Sequence, residues 1–440
     1  MTLQSSGAIS LLDVQGEFGG SIPIGLNEYY GAASGVPASG TISLADFYGA
    51  SACDTTTAPT LINTYNVTTT ANPNYGRWVN ITSSKYYFSF IPFQATAYVY
   101  IRNHDDSGEI SVTNPVTPSI DDSFGVIAVD ESTNTMVVGA PNAAAAGSNS
   151  GGTAYWFNAT TGAYLNITKS TTYGGWTVFN RGVQGPQWGD RIFAENNKFF
   201  ICCTKDRCGT STTYGSIWVY NSSGTLLTNK LGTSGTSSTP GNAYGLGLTI
   251  DDLADGKIIC TSSYSATAGV VNIYDYNLNH LYQWNKPAGT PQFWGAATSI
   301  GQGVIAIGAP DHAFSGAGGV LGKVYLYDYN YNLITTINSP TNNSGFGDVI
   351  RIRNGRIMIA DIRYNSNIGR VYIYNLNGVL LSTIDDPNPA TSGQFSSPFD
   401  YMQSKYNLMF MGRGQSGGAG STGYFYKYST PENSGCSGAP

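Results

Sequence analysis

From residue 293 to 337 the chain alternates short apolar runs with breaks rich in Gly, Asn and Pro. The runs are AATSI (296–300), VIAIGAP (304–310), KVYLYD (323–328) and LITTI (333–337). Apolar runs of about five residues bounded by turn formers predict strands, not helices. Tight turns at Gly301-Gln302-Gly303 and Asn330-Tyr331-Asn332 join neighbouring runs, so the four predict one antiparallel sheet.

The unit recurs. Its third strand ends in an aromatic at Tyr100, Phe157, Tyr220, Tyr274, Tyr327, Tyr374 and Tyr428, with gaps of 57, 63, 54, 53, 47 and 54 residues. An aromatic-Gly opener returns as Tyr75-Gly76, Phe124-Gly125, Trp188-Gly189, Tyr244-Gly245, Trp294-Gly295 and Phe346-Gly347, and degenerates to Phe395-Ser396. Self-similarity at this period, with four strands per unit, predicts an all-β fold, a seven-bladed β-propeller of four-stranded antiparallel blades over residues 60–430. The seventh unit stops after its third strand. TLINTYNV (60–67) resembles the fourth-strand texts LITTI and LLSTI. It is therefore expected to close the last blade by pairing residues 61–66 with 424–428.

The opener followed by Gly-Ala-Pro, at Phe124-Gly125 with Gly139-Ala140-Pro141 and at Trp294-Gly295 with Gly308-Ala309-Pro310, resembles the FG-GAP repeat of integrin α-subunit heads. That resemblance implies a seven-bladed ring and raises calcium binding by D-x-D-x-D-G loops between first and second strands. Here those turns are short. Only Asp251-Asp252-Leu253-Ala254-Asp255-Gly256 approaches the spacing, with its carboxylates out of register, so no cofactor is expected from these loops.

Charged residues make up only 11% of the 440, while 55 are Gly and 31 are Tyr. Aromatics at 13% and dense periodic strands argue against disorder. A net charge of −6 offers no basic stripe for phosphates, so nucleic acid is not an expected partner. No run of 18 apolar residues exists, so no membrane insertion is expected. MTLQSSGAISLL lacks Lys or Arg before its short apolar run and is not expected to act as a secretory signal. Of the six cysteines, Cys202 and Cys260 fall near matching second-strand positions and are expected to be buried, whereas Cys203 and Cys208 could be bridged.

Residues 1–50 differ in kind, and 51–59 read as a linker. SGAISLLD (6–13) is echoed by SGTISLAD (39–46), and Ser10 and Ser43 are each placed to cap a short helical turn. Three such segments are expected to lack a core of their own. Their apolar residues Ile9, Leu11, Phe18, Tyr29, Tyr30, Ile42, Leu44, Phe47 and Tyr48 are then expected to dock on another protein. Burying roughly 600 Å² there would contribute about 15 kcal/mol before association costs.

The pattern LQSSG (3–7), EFGG (17–20), EYY (28–30), VP (36–37) and ISLADFYG (42–49) resembles an N-terminal module of tailed-phage virion structural proteins, marine ones especially. The resemblance implies a non-enzymatic virion protein, present in multiple copies, that docks on other virion proteins through residues 1–50. Its ring would be displayed on a tail or tail fibre for attachment to a host-surface glycan or receptor. A purely structural capsid-decoration, neck or baseplate role is the alternative, and a glycan-degrading enzyme a third. Residues 431–440 read as a tail.

Chemistry is sparse. No G-x-S-x-G elbow marks a nucleophile, and the three histidines are scattered. His104-Asp105-Asp106 reads as a solvated turn. Trp176 and Trp284 fall outside the repeat's structural slots, so they and His312, on a loop, are the candidates for contacting a ligand. Packing between blades is the competing role for both tryptophans.

Overall fold

The computed structural model describes residues 9–18, 25–29, 41–47, 58–68, 73–92, 96–115, 124–141, 152–169, 188–203, 216–231, 249–261, 270–287, 293–310, 321–341, 345–389, 393–395, 402–405, 407–415 and 422–430. Two-residue turns join the first two strands of blades 3 to 6. Asn196-Asn197, Asp255-Gly256, Gln302-Gly303 and Asn354-Gly355 all hold positive φ at both positions, the geometry that suits the twist of a tight hairpin.

Seven sheets result. Blade 1 consists of Pro73–Ile81, Lys85–Pro92, Tyr98–Asn103 and Ile110–Val112. Blade 2 is Val126–Asp130, Thr135–Ala140, Thr153–Asn158 and Tyr164–Lys169, and blade 3 is Trp188–Glu195, Lys198–Cys203, Ser216–Tyr220 and Leu226–Leu231. Blade 4 comprises Thr249–Ala254, Lys257–Thr261, Val270–Asp275 and His280–Asn285. Blade 5 comprises Thr298–Gly301, Val304–Ala309, Lys323–Asp328 and Leu333–Asn338, and blade 6 Phe346–Arg353, Arg356–Asp361, Arg370–Asn375 and Leu380–Asp385. First strands touch their neighbours all the way round, which makes the sheets a closed propeller.

Blade 7 closes the ring with both ends of the chain. Its first strand is split into Gly393–Phe395 and Met402–Lys405, both paired with Leu408–Gln415; Thr422–Ser429 follows. Its outer strand is Thr60–Thr68, antiparallel to 422–429, with Leu61 opposite Tyr428 and Asn66 opposite Tyr424. The expected pairing of 61–66 with 424–428 is the one found. Ile62, Leu227, Leu281, Ile334 and Leu381 are skipped in the ladders of their outer strands. Such bulges kink an exposed edge and discourage addition of a foreign strand.

The core lies between blades. One apolar cluster runs through blades 1 to 3, and further clusters fill the 3/4, 4/5, 5/6, 6/7 and 7/1 junctions. The opener aromatics Phe124, Trp294 and Phe346 are fully buried in them. Gly125 and Gly295 each donate to the carbonyl of the second strand's glycine, Gly139 and Gly308. A Cβ on Gly308 would lie 2.4 Å from the Gly347 carbonyl oxygen, and Gly347 itself sits at φ +94. The repeat's paired glycines therefore serve close approach of one blade's backbone to the next.

The N-terminal segments fold as expected locally. Leu11–Phe18 is an α-helix, and Leu26–Tyr29 and Leu44–Phe47 are single 3-10 turns. Ser10 and Asp13 form a capping box, with Ser10 N and Oγ donating to the carboxylate at 2.7 and 2.6 Å; Ser43 and Asp46 repeat it at 2.7 and 3.0 Å. The expectation that these segments lack a core is revised. Val14, Tyr29 and Phe47 are buried in a cluster of their own, the two rings edge-to-face at 6.0 Å. Fixed helix starts let one apolar side chain from each segment turn inward. Ile9, Leu11, Ile42 and Leu44 stay half-buried around them. The Phe18 side chain, Tyr30 and Tyr48 lie outside the described residues.

Candidate functional site

The first strands of blades 3, 4 and 6 carry charge in a chain that has little. In blade 4 a register shift between Ile250 and Asp252 lets two successive carboxylates, Asp251 and Asp252, be buried together. Asp251 joins blade 3 to blade 5: Arg191 Nη1 lies 2.8 Å from its Oδ1, and Thr298 Oγ1 donates to its Oδ2 at 2.9 Å. Asp252 joins blade 5 to blade 6. Arg353 Nη2 and Nη1 donate to its two oxygens at 2.6 and 3.1 Å, reaching past blade 5, and Ser299 Oγ donates to it as well. Ile352 N in turn donates to Ser299 Oγ at 3.0 Å.

Burial opposes ionisation of Asp252, but the Arg353 and Arg351 guanidiniums outweigh it and hold the carboxyl below its ordinary value. Arg351 moves the other way. Burial pulls it down to about 10 despite Asp252. Both carboxylates are paired with guanidiniums and tie blades together, and the downward shift of Asp252 is the opposite of what a general acid for glycoside cleavage needs. Glu195, at the end of blade 3's first strand, is raised by burial and accepts the Tyr276 hydroxyl.

The hairpin turns carry a second set of contacts, at the 1/2, 2/3, 4/5 and 5/6 junctions. Glu131 accepts Ser83 N at 2.9 Å, Asp130 accepts Asn197 N, Asp255 accepts Gln302 N at 2.9 Å, and Gln302 Oε1 accepts Gly355 N at 2.7 Å. The stretch 251–256, which approached a calcium-loop spacing, is thus divided between the two sets of contacts. Among the described residues no three His, Cys, Asp or Glu side chains converge on one point.

Two surfaces stand out among the described residues. A cavity of about 190 Å³ between blades 1 and 2 is lined mainly by polar groups, among them Thr82, Lys85, Glu131, Asn134 and Thr160. At the rim of blades 4 and 5, Tyr282 stacks on Tyr331 at 4.1 Å. Trp284 lies behind them, 8% exposed, with Tyr282, Tyr327 and Tyr331 at 4.7, 5.0 and 5.5 Å. Its role in the structure is packing, because its faces are covered; Tyr282 and Tyr331 are the half-buried rings at that rim. Trp176 and His312 lie outside the described residues, as do Cys208 and the tips of the loops after the second strands. Cys202 and Cys260 are buried.

No family model and no curated protein matches the chain.

The His104-Asp105-Asp106 turn is more than solvated. Asp105 caps it through Ser107 N at 3.0 Å, and His104 Nε2 meets the Thr82 carbonyl at 2.9 Å. Asp106, at φ +71, accepts Lys427 Nζ at 2.6 Å and the Tyr86 hydroxyl at 2.7 Å, while Asn63 Nδ2 reaches its other oxygen at 3.2 Å. It thereby binds blade 1 to both strands of the closing seam. Charged residues inside apolar strand texts, as in TIDDLA and YFYKYS, were the signal available for these networks.

Proposed function

We propose that the chain is a structural protein of a tailed-phage particle, anchored through residues 1–50 and displaying its ring for attachment to the host surface. The observation that carries this reading is the division of the chain into two separately cored parts. One is a small module with duplicated capping boxes and a half-exposed apolar rim; the other is a ring closed by residues 60–68. The likeness of the module's text to phage virion proteins supplies the setting. With Tyr29 and Phe47 turned inward, docking falls to Ile9, Leu11, Ile42 and Leu44. Pairing of Asp251 and Asp252 with arginines favours binding over catalysis at the ring's centre.

The test is competition. Purified full-length chain, added in excess, should reduce adsorption of the particle that carries it to host cells, and should itself sediment with those cells. Undiminished adsorption, with no chain in the cell pellet, would reject attachment and leave the decorating role.

A further inference from the structure

The junction of blades 5 and 6 is apolar along most of its length, but it ends in a patch of oxygen. Thr341 enters from the connector after blade 5. Asp348 stands in the register shift of blade 6's first strand, between Phe346 and Val349. Asp361 ends the second strand, and Tyr372 lies on the third. Asp361 is fully buried, Tyr372 is 1% exposed and Asp348 9%. Backbone presses close: a Cβ on Gly345 would lie 2.9 Å from Asp361 Oδ1 and from Arg363 N.

Asp361 Oδ1 accepts Arg363 N at 3.2 Å. Its Oδ2, the Tyr372 hydroxyl and the Thr341 hydroxyl are all shielded from solvent and make no hydrogen bond of ordinary length, although Thr341 approaches both of the others and the Arg370 guanidinium approaches Tyr372. These groups are near one another. Asp361 pairs with Phe346, two residues from Asp348, and Tyr372 pairs with Ile359, two residues along from Asp361; Thr341 lies close enough to bear on both Asp361 and Tyr372. Buried polar atoms of this kind are ordinarily satisfied, and two carboxylates placed together favour a positive charge between them. Every candidate ligand atom is oxygen, which selects a hard cation over zinc. Calcium tolerates the irregular geometry of such a site better than magnesium does.

We propose that Thr341, Asp348, Asp361 and Tyr372 form a site for a calcium-like cation that ties blade 6 to the connector from blade 5. It is separate from the hairpin turns where the FG-GAP likeness would place calcium.

The test uses full-length chain stripped with chelator. Calcium titration by calorimetry should show saturable binding of one equivalent, and the melting temperature should rise with calcium. Terbium should give luminescence excited through tyrosine, displaced by calcium and lost in Tyr372→Phe. Asp361→Asn should weaken calcium binding at least tenfold and abolish the thermal response. If Asp361→Asn fails to fold, Thr341→Val, which leaves both carboxylates in place, should still weaken binding several-fold. Absence of heat and of a thermal shift in the wild type would overturn the site, as would wild-type calcium binding in the foldable variants.

Discussion

Replacing Asp106 with Asn should loosen the seam that closes the ring. The carboxylate accepts Lys427, whose side chain is 3% exposed, together with Tyr86 and Asn63. Burial opposes its ionisation, but the hydrogen bonds from Lys427, Tyr65, Tyr86 and Asn63 prevail and lower its pKa to about 2. Against an unfolded value near 3.9, a shift of roughly two units corresponds to at most about 2.6 kcal/mol at neutral pH. A quarter of the Asp106 side chain is exposed, so screening trims this to about 1–2 kcal/mol. Removing the charge also leaves the Lys427 ammonium buried without its counter-ion, which brings the expected loss to about 2–3 kcal/mol.

The assay is urea unfolding followed by tryptophan fluorescence. Because the folded pKa is depressed, the carboxylate's contribution is complete above the unfolded value and is lost as pH falls through the folded one. The gap between wild type and Asp106→Asn should therefore narrow between about pH 5 and pH 2. Adding Lys427→Met should recover part of the loss, since a methionine needs no counter-charge. A neutral-pH loss under about 0.5 kcal/mol, or a gap that does not change with acid, would mean that this carboxylate does not hold the seam.

Three further outcomes follow from the geometry. Gly308→Ala, which drives a Cβ into the Gly347 carbonyl, should cost about 2–4 kcal/mol, whereas Gly303→Ala, at φ +81 with open space around it, should cost only about 1–2, both read from thermal unfolding. Arg353→Met should cost about 3–5 kcal/mol at neutral pH by stranding Asp252, and the loss should shrink in acid as that carboxyl becomes protonated. Burial pushes the Cys260 thiol well above its ordinary value, so mass spectrometry should find it unmodified by a thiol reagent under native conditions and modified after denaturation.

Local pattern made the blades legible. VIAIGAP and KVYLYD are apolar runs with turn formers at both ends, and each became a strand within a residue or so of where its text begins and ends. The seam was legible for a different reason: TLINTYNV resembles other outer strands, and a seventh unit without a fourth strand needs one. The charged struts were not. Arg353 and Asp252 are 101 residues apart and meet across an intervening blade, a relation that no window of sequence contains. The Asp pair was read as a turn because nothing local announces a bulge inside a first strand. Tyr29 and Phe47 were expected to face outward because each segment alone is too short to enclose anything; the small core appears only when three of them meet. Trp284 had no repeat slot to mark it as structural, since its neighbour Tyr331 comes from the next blade.

On the proposed function, residues 1–50 hold the protein on a phage particle while the ring folds without them. Particles assembled with a chain lacking residues 1–50 should be compared with those carrying the full chain, by quantitative mass spectrometry of purified particles. The shortened chain, retaining the closing strand Thr60–Thr68, should be soluble and cooperatively folded yet missing from the particles. Its incorporation at the full chain's copy number would contradict the claim.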